Sequence, residues 1–258
     1  PAKAKKGRWR EIKLRNRWGA KAWGEGPRVV TFALIIICCA VYLYTDMGKN
    51  AAKMAVFGFS LDRVMEGEVW RLFSPMIVHL PLWNLPFIHL LFNCMWLSFL
   101  GGMIERRKGP IYFLLLILII EALTNLFAGE LFNENGFGAS GVVYGLFGYV
   151  WVKMKCDPGD NFYVDSTNAL YLLVWLVLGF TGKLGLIGNW AHTGGLLAGS
   201  ALGYLSSIAR SSWSGTGLGG LRTMGIVTMA AIAGIAWFFM RDRESLEPDP
   251  PTGEKVAI

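Results

Sequence analysis

The chain has 258 residues and a net charge of +7, with 53% hydrophobic but only 17% charged residues, against about 25% charged in an average soluble domain. Its mean hydropathy of +0.42 excludes a disordered chain, which needs low hydrophobicity and high charge, and argues against an ordinary soluble globule. Length alone reads as one or two domains, so the deciding question is whether the apolar residues form runs long enough to cross a bilayer.

Residues 1–28 are a basic arm. Ten Lys/Arg stand against Glu11 and Glu25, a local charge of +8 that exceeds that of the whole chain. Beside a first apolar span, such an arm reads as cytoplasmic retention and attraction to anionic headgroups. Nucleic acid is not expected as a partner. Val29–Thr45 carries no charge and forms span 1. Residues 46–86 make a long outer segment whose four bases (Lys49, Lys53, Arg63, Arg71) are matched by Asp46, Asp62, Glu66 and Glu68. Leu61–Leu72 is expected to include a helix lying partly in the interface. Span 2, Phe87–Ile104, ends at Glu105-Arg106-Arg107-Lys108, where Glu105 and Arg107 are expected to pair and mark the inner boundary.

Span 3 opens with Ile111–Ile120 and continues past Glu121 to an acidic outer loop, Glu130–Asn135. Glu121 either lines a cavity or lies high enough to reach the outer headgroups, and the second is favoured. Span 4, Ser140–Val152, is short and stops at Lys153 and Lys155. Ala169–Phe180, Trp190–Ala209 and Met224–Met240 supply spans 5, 6 and 7, and residues 241–258 form a polar tail. A span needs ~20 mostly apolar residues, with 17 acceptable. Continuous runs exclude a closed barrel, whose strands alternate.

The expected fold is therefore an all-α polytopic membrane protein. A six-span core covers 29–209, and 210–240 adds a linker and a seventh span. The Lys/Arg bias places the N-terminus in the cytoplasm, and a bacterial plasma (inner) membrane is the default location. Cys38, Cys39, Cys94 and Cys156 show no CxxC or Cys/His metal spacing. They read as packing residues without disulfides. No metal or cofactor is expected.

Spans 2, 4 and 6 run in the same direction, from outside to inside, so their N-termini lie at similar depth. Those ends hold the chain's unusual polar residues: His89 and Asn93 on span 2, Ser140 on span 4, His192 on span 6. Intramembrane ionisable residues are costly and are functional candidates by default. Thirteen residues of span 4 rise only ~20 Å in a hydrocarbon core ~30 Å thick. Gly136-Phe137-Gly138 then becomes non-helical backbone at membrane depth, tolerated only inside protein or against a water-filled cavity. Ser140 would sit at the floor of that cavity, at a helix N-terminus that favours a developing anion. Taken alone it would more often be an N-cap serine.

A serine becomes a nucleophile when a base lies within hydrogen-bond reach, and His192 starts a parallel helix. Gly195, Gly199 and Gly203 on span 6, with Gly141, Gly145 and Gly148 on span 4, allow the close approach that such a pair needs. Tyr144, one turn below Ser140, is expected to pack on the imidazole. Spans 4 and 6 carry no Asp or Glu, so a dyad is expected and not a triad. His89 and Asn93 share one face of span 2, and each has a side-chain donor for the oxyanion of acyl transfer. Their bland alternative is an interhelical polar clamp.

Gly138-Ala139-Ser140-Gly141 resembles the GxSG segment of the rhomboid intramembrane serine proteases. Ala191-His192-Thr193-Gly194-Gly195 is similar to that family's AHxxG, and His89-Leu-Leu-Phe-Asn93 to its HxxxN. Trp70-Arg71 resembles its WR motif, and Gly101–Arg107 its GGxxExR. Five motifs in order cover roughly residues 68–206. The resemblance implies a rhomboid-like six-helix bundle with a seventh C-terminal span. It also implies Ser140 as nucleophile, His192 as general base, and His89, Asn93 and the Ser140 amide as the oxyanion site. Substrates would be transmembrane proteins cut near the outer face, admitted laterally between spans 2 and 5.

His79 departs from the family pattern. It precedes His89 by ten positions, with Pro81 and Pro86 between them, which reads as a small insertion. The rival reading of the whole chain is a rhomboid-fold binding or assembly subunit that works with other membrane protein subunits. A transporter is a further rival, but it predicts internal repeats and a polar path through the membrane. Here no repeat is visible, and the polar residues cluster on one side.

Overall fold

A computed structural model describes residues 28–82, 85–182 and 187–212. Almost all of the basic arm, the seventh span and the polar tail lie outside the described residues. Eight helices follow in chain order: α1 (Val29–Tyr44), α2 (Ala51–Ala55), α3 (Leu61–Met65), α4 (Ile88–Lys108), α5 (Pro110–Phe132), α6 (Ser140–Cys156), α7 (Ser166–Gly179) and α8 (Asn189–Ser212). Helices α4 and α5 are long and apolar enough to cross a membrane, while α1 and α7 are apolar but shorter. The interfacial helix expected over 61–72 is shorter than read: α3 ends at Met65, and a separate 3₁₀ turn covers Val69–Leu72.

The bundle is organised around α6 and α8, which share the most extensive helix contact in the described residues. Sequence explains it. A side chain at Gly195 would overlap the carbonyl of Gly141, and one at Gly199 the carbonyl of Gly145. In return, a Cβ on Gly148 would lie 2.6 Å from the carbonyl oxygen of Leu196. Only hydrogen at these positions lets the two backbones touch, the small-residue route to helix association where lipid offers no hydrophobic drive. Helix α5 closes the third side, with Ile120 and Thr124 against Gly145 and Gly141. Phe113, Leu116, Leu146, Phe147 and Tyr149 fill the adjoining core.

The end of the bundle opposite Ser140 is held by charge. Lys153, only 1% exposed, reaches Asp157 and Asp160 at 2.7 Å each, and Lys108 at the end of α4 meets Asp160 at 2.7 Å. Arg107 donates to the backbone of Asn161 at 2.9 Å. The expected pairing of Glu105 with Arg107 is replaced by something more useful to the fold. Both oxygens of the buried Glu105 carboxylate go to α1, accepting from the Val30 and Thr31 amides at 2.8 Å and the Thr31 hydroxyl at 2.7 Å. Arg28, at the N-cap of α1, makes no side-chain cap, so α4 caps α1 in its place.

Two stability predictions follow from these contacts. Gly199→Ala forces a methyl group into the Gly145 backbone and should cost about 1–3 kcal/mol, read as a lower thermal midpoint in detergent. Gly136→Ala, where the nearest atom is 3.8 Å away, should stay within about 0.5 kcal/mol of the parent.

The second concerns acid. Burial disfavours ionisation of Asp160, but Lys108 and Lys153 outweigh it and hold the carboxyl below its ordinary value. A depressed folded-state pKa contributes stability above the unfolded value of about 3.9 and loses it as pH falls through the folded value. Asp160→Asn should therefore be less stable than the parent at neutral pH, and the gap should close below about pH 4. A gap that is constant with pH would show that this carboxylate is not engaged.

Candidate active site

Helix α6 starts at Ser140, with Ala139 at its N-cap. The preceding Gly138 has φ +122°, a conformation that glycine adopts without strain. Its amide donates to the Pro75 carbonyl at 3.0 Å, while the Ala139 amide points at His79 Nε2, 3.5 Å away. The chain therefore enters α6 through a turn at Gly138-Ala139 held by Pro75 and His79, and the Ser140 side chain faces α8.

His192 is 3% exposed, one turn into α8, and its Nε2 lies 2.8 Å from Ser140 Oγ. With Nε2 accepting from the serine hydroxyl, a neutral ring carries its proton on Nδ1, and Nδ1 has no protein partner among the described residues. The Tyr144 ring stacks on the imidazole, with centroids 4.6 Å apart at 30°. The Tyr144 hydroxyl donates to the Leu172 carbonyl at 2.8 Å, so the ring that supports His192 is itself anchored to α7. Gly141, Gly195 and Gly199 lie in the α6–α8 contact that sets the serine–histidine separation.

His89 and Asn93 project from α4 toward the same place. A Cβ on Gly138 would lie 2.7 Å from His89 Nε2 and 3.8 Å from Asn93 Nδ2. Asn93 Nδ2 uses one hydrogen on the His89 carbonyl at 2.9 Å and keeps the other. The His89 ring is more constrained than sequence reading assumed. Its Nδ1 lies 3.3 Å from the Leu80 carbonyl, and a carbonyl only accepts. Nδ1 therefore holds the proton, and Nε2 of a neutral ring presents a lone pair to the cavity. Donation from Nε2 requires a second proton or loss of the Leu80 contact.

Three groups near the site were missed or misplaced in the sequence. His79 is fully buried, with its ring 5.2 Å from that of His89. Backbone bonds join Leu82 and Leu85, and the Tyr42 hydroxyl donates to the Pro86 carbonyl, tying the segment before α4 to α1. Spacing alone hid this proximity. Glu121 does not reach a headgroup layer. It is 2% exposed and lines a small cavity with Thr124, Asn125, Phe137, Ser140 and Ala191, because that face of α5 turns toward α6. Glu134, read only as part of an acidic loop, accepts from the Ala191 amide at 2.9 Å and caps α8, since Gly188 at the helix start has no side chain to do so.

The family model described as Rhomboid domain matches residues 66–209. A protein named Rhomboid protease GlpG from Klebsiella pneumoniae is 35% identical over 180 residues, 69% of this chain and 63% of that protein. Its namesake from Salmonella typhi is 33% identical over 185 residues, 71% of this chain and 64% of that protein. The chain thus spans somewhat less than two thirds of the length of these relatives. With the family model covering more than half of it, the chain belongs to the rhomboid family.

Proposed function

We propose that this protein is an intramembrane serine endopeptidase working through a Ser140–His192 dyad. The observation that carries the reading is the 2.8 Å approach of His192 Nε2 to Ser140 Oγ at the start of α6, in a family whose relatives carry the name protease. Ser140 Oγ attacks the scissile carbonyl as its proton passes to His192 Nε2. The tetrahedral oxyanion is held by the Ser140 amide and by Asn93, with His89 contributing when its Nε2 bears a proton. Collapse expels the amine, which takes the proton from His192. Water then opens the acyl-enzyme with His192 again as base, releasing the new carboxylate. The residues need no metal or cofactor for these steps.

Substrates in this reading are membrane-spanning proteins cleaved near the outer face, with the N-terminus of the enzyme in the cytoplasm of a bacterial cell. Lateral access between α4 and α7 fits the surfaces there. Phe92 and Trp175 sit with ring centroids 6.3 Å apart, and Leu91, Met95, Val174 and Val177 are exposed beside them. The α4–α7 seam lacks the backbone-to-backbone closure of α6 on α8, so it separates at lower cost.

A fluorophosphonate probe tests the dyad directly. It should label the wild-type protein in detergent and fail to label Ser140→Ala and His192→Ala. Equal labelling of parent and Ser140→Ala would remove the catalytic assignment.

Asn93→Ala separates oxyanion binding from packing. Loss of one oxyanion donor costs kcat roughly 10²-fold or more, with little change in KM because the charge exists only in the transition state. A polar interhelical clamp would instead contribute about 0.6 kcal/mol of stability and leave turnover nearly intact. Measuring kcat, KM and thermal midpoint of the variant in one detergent distinguishes the two.

A further inference from the structure

We propose that Glu121 and Asn125 of α5 are positioning residues. They clamp the Pro75–Met76 peptide, and through it the Gly138 backbone, in the orientation that oxyanion binding at Ser140 needs. The proposal rests on the serine-protease reading of the site.

Glu121 and Asn125 stand one turn apart on the same face of α5, 2% and 7% exposed. A buried polar pair at this depth is expensive unless satisfied. A pair serving only itself would close its hydrogen bonds internally, and this one does not. Asn125 Nδ2 spends one hydrogen on Glu121 Oε1 at 2.9 Å and the other on the Leu72 carbonyl at 3.0 Å. The Glu121 carboxylate also accepts from the Met76 amide. The pair therefore takes one carbonyl and one amide from a segment it does not belong to. It pins both 3₁₀ turns of that segment, Val69–Leu72 and Ser74–Ile77.

The Met76 amide has a particular neighbour. It shares one planar peptide with the Pro75 carbonyl, and that carbonyl receives the Gly138 amide at 3.0 Å. Glu121 and Gly138 thus hold opposite ends of one rigid unit. A trans peptide points its N–H and C=O in opposite directions, so rotating the plane breaks both contacts together. Polarisation through the unit also strengthens each bond in the presence of the other. Proline at 75 has no amide of its own to offer as an alternative. With Gly138 committed to Pro75 and Ala139 directed at His79, the next amide, that of Ser140, is the first backbone donor of α6 left open toward the substrate. The dyad depends on the α6–α8 contact and not on this clamp, so the clamp acts on transition-state geometry while leaving the Ser140–His192 pair assembled.

The test uses the full chain in detergent, with a fluorogenic transmembrane peptide as substrate. Glu121→Met keeps length and removes the carboxylate that accepts from Asn125 and the Met76 amide. Its thermal midpoint should fall, because the Met76 amide and one Asn125 hydrogen lose their acceptor in a buried setting, while the Ser140–His192 pair stays assembled. Its kcat should fall roughly 10- to 100-fold, as small misplacements of reacting groups do, with KM unchanged within about twofold on the same grounds.

Glu121→Gln should lie between the two. Its Oε1 still accepts from the Met76 amide, while its Nε2 faces the Asn125 donor. Glu66→Gln, an exposed carboxylate of the same loop paired with Arg63, should match the parent. Should Glu121→Met fail to fold, Asn125→Ala, which frees the Leu72 carbonyl, must show the same loss of kcat at constant KM. Parent-level kcat in folded Glu121→Met, or in Asn125→Ala where that stands in, overturns the clamp alone. Absence of fluorophosphonate labelling in the parent overturns the catalytic reading, and the clamp with it.

Discussion

The whole site depends on how closely two helix backbones approach. Ser140 and His192 are 52 positions apart and sit on the first turns of α6 and α8. Their 2.8 Å separation exists because, next to the serine and again about one turn further along, Gly195 and Gly199 lie directly on the carbonyls of Gly141 and Gly145. A bilayer supplies no hydrophobic force to press helices together, so the contact must come from shape. Small residues at a spacing of four provide a groove on α8 that accepts the ridge of α6. The chemistry at the top of the interface inherits its precision from the rest of that interface.

A second constraint is polar satisfaction. In a low-dielectric setting each unpaired donor or acceptor is costly, and the structure answers by pairing across elements. Glu105 completes α1 from α4, Glu134 completes α8 from the α5–α6 connection, and Tyr144 reaches α7 from α6. Each bond joins parts of the chain far apart in sequence. Together they turn helices that could slide along one another into an assembly with one registration.

Much of this was legible in the sequence. Uncharged runs located the apolar helices, and the glycine spacing on spans 4 and 6 pointed to their contact. Span 4 was expected over Ser140–Val152; α6 does begin at Ser140, below non-helical backbone, but runs on to Cys156, 17 residues in all. What sequence did not reveal was side-chain direction within loops and on helices that are apolar all round. Helix α5 is so uniformly hydrophobic that no polar face marks its inner side, and Glu121 was assigned to the wrong surroundings. His79 was obscured by the ten positions that separate it from His89 in sequence but not in space. The proton placement on His89 depends on the carbonyl of Leu80, a backbone atom that no residue pattern encodes. Glu134 looked like one of several loop acids until the helix start it completes was seen to lack a side chain.

The capping of α1 by Glu105 has a consequence for biogenesis. The first helix of the described chain leaves its opening amides without a side-chain cap of its own, and the carboxylate that satisfies them is made about 75 residues later. During vectorial synthesis α1 enters the membrane with that end unfinished, and water or headgroups must serve until α4 arrives. The N-terminal end of α1 is thus a latch that shuts only when α4 is in place. This places a checkpoint on assembly before the serine-bearing helix has been translated at all.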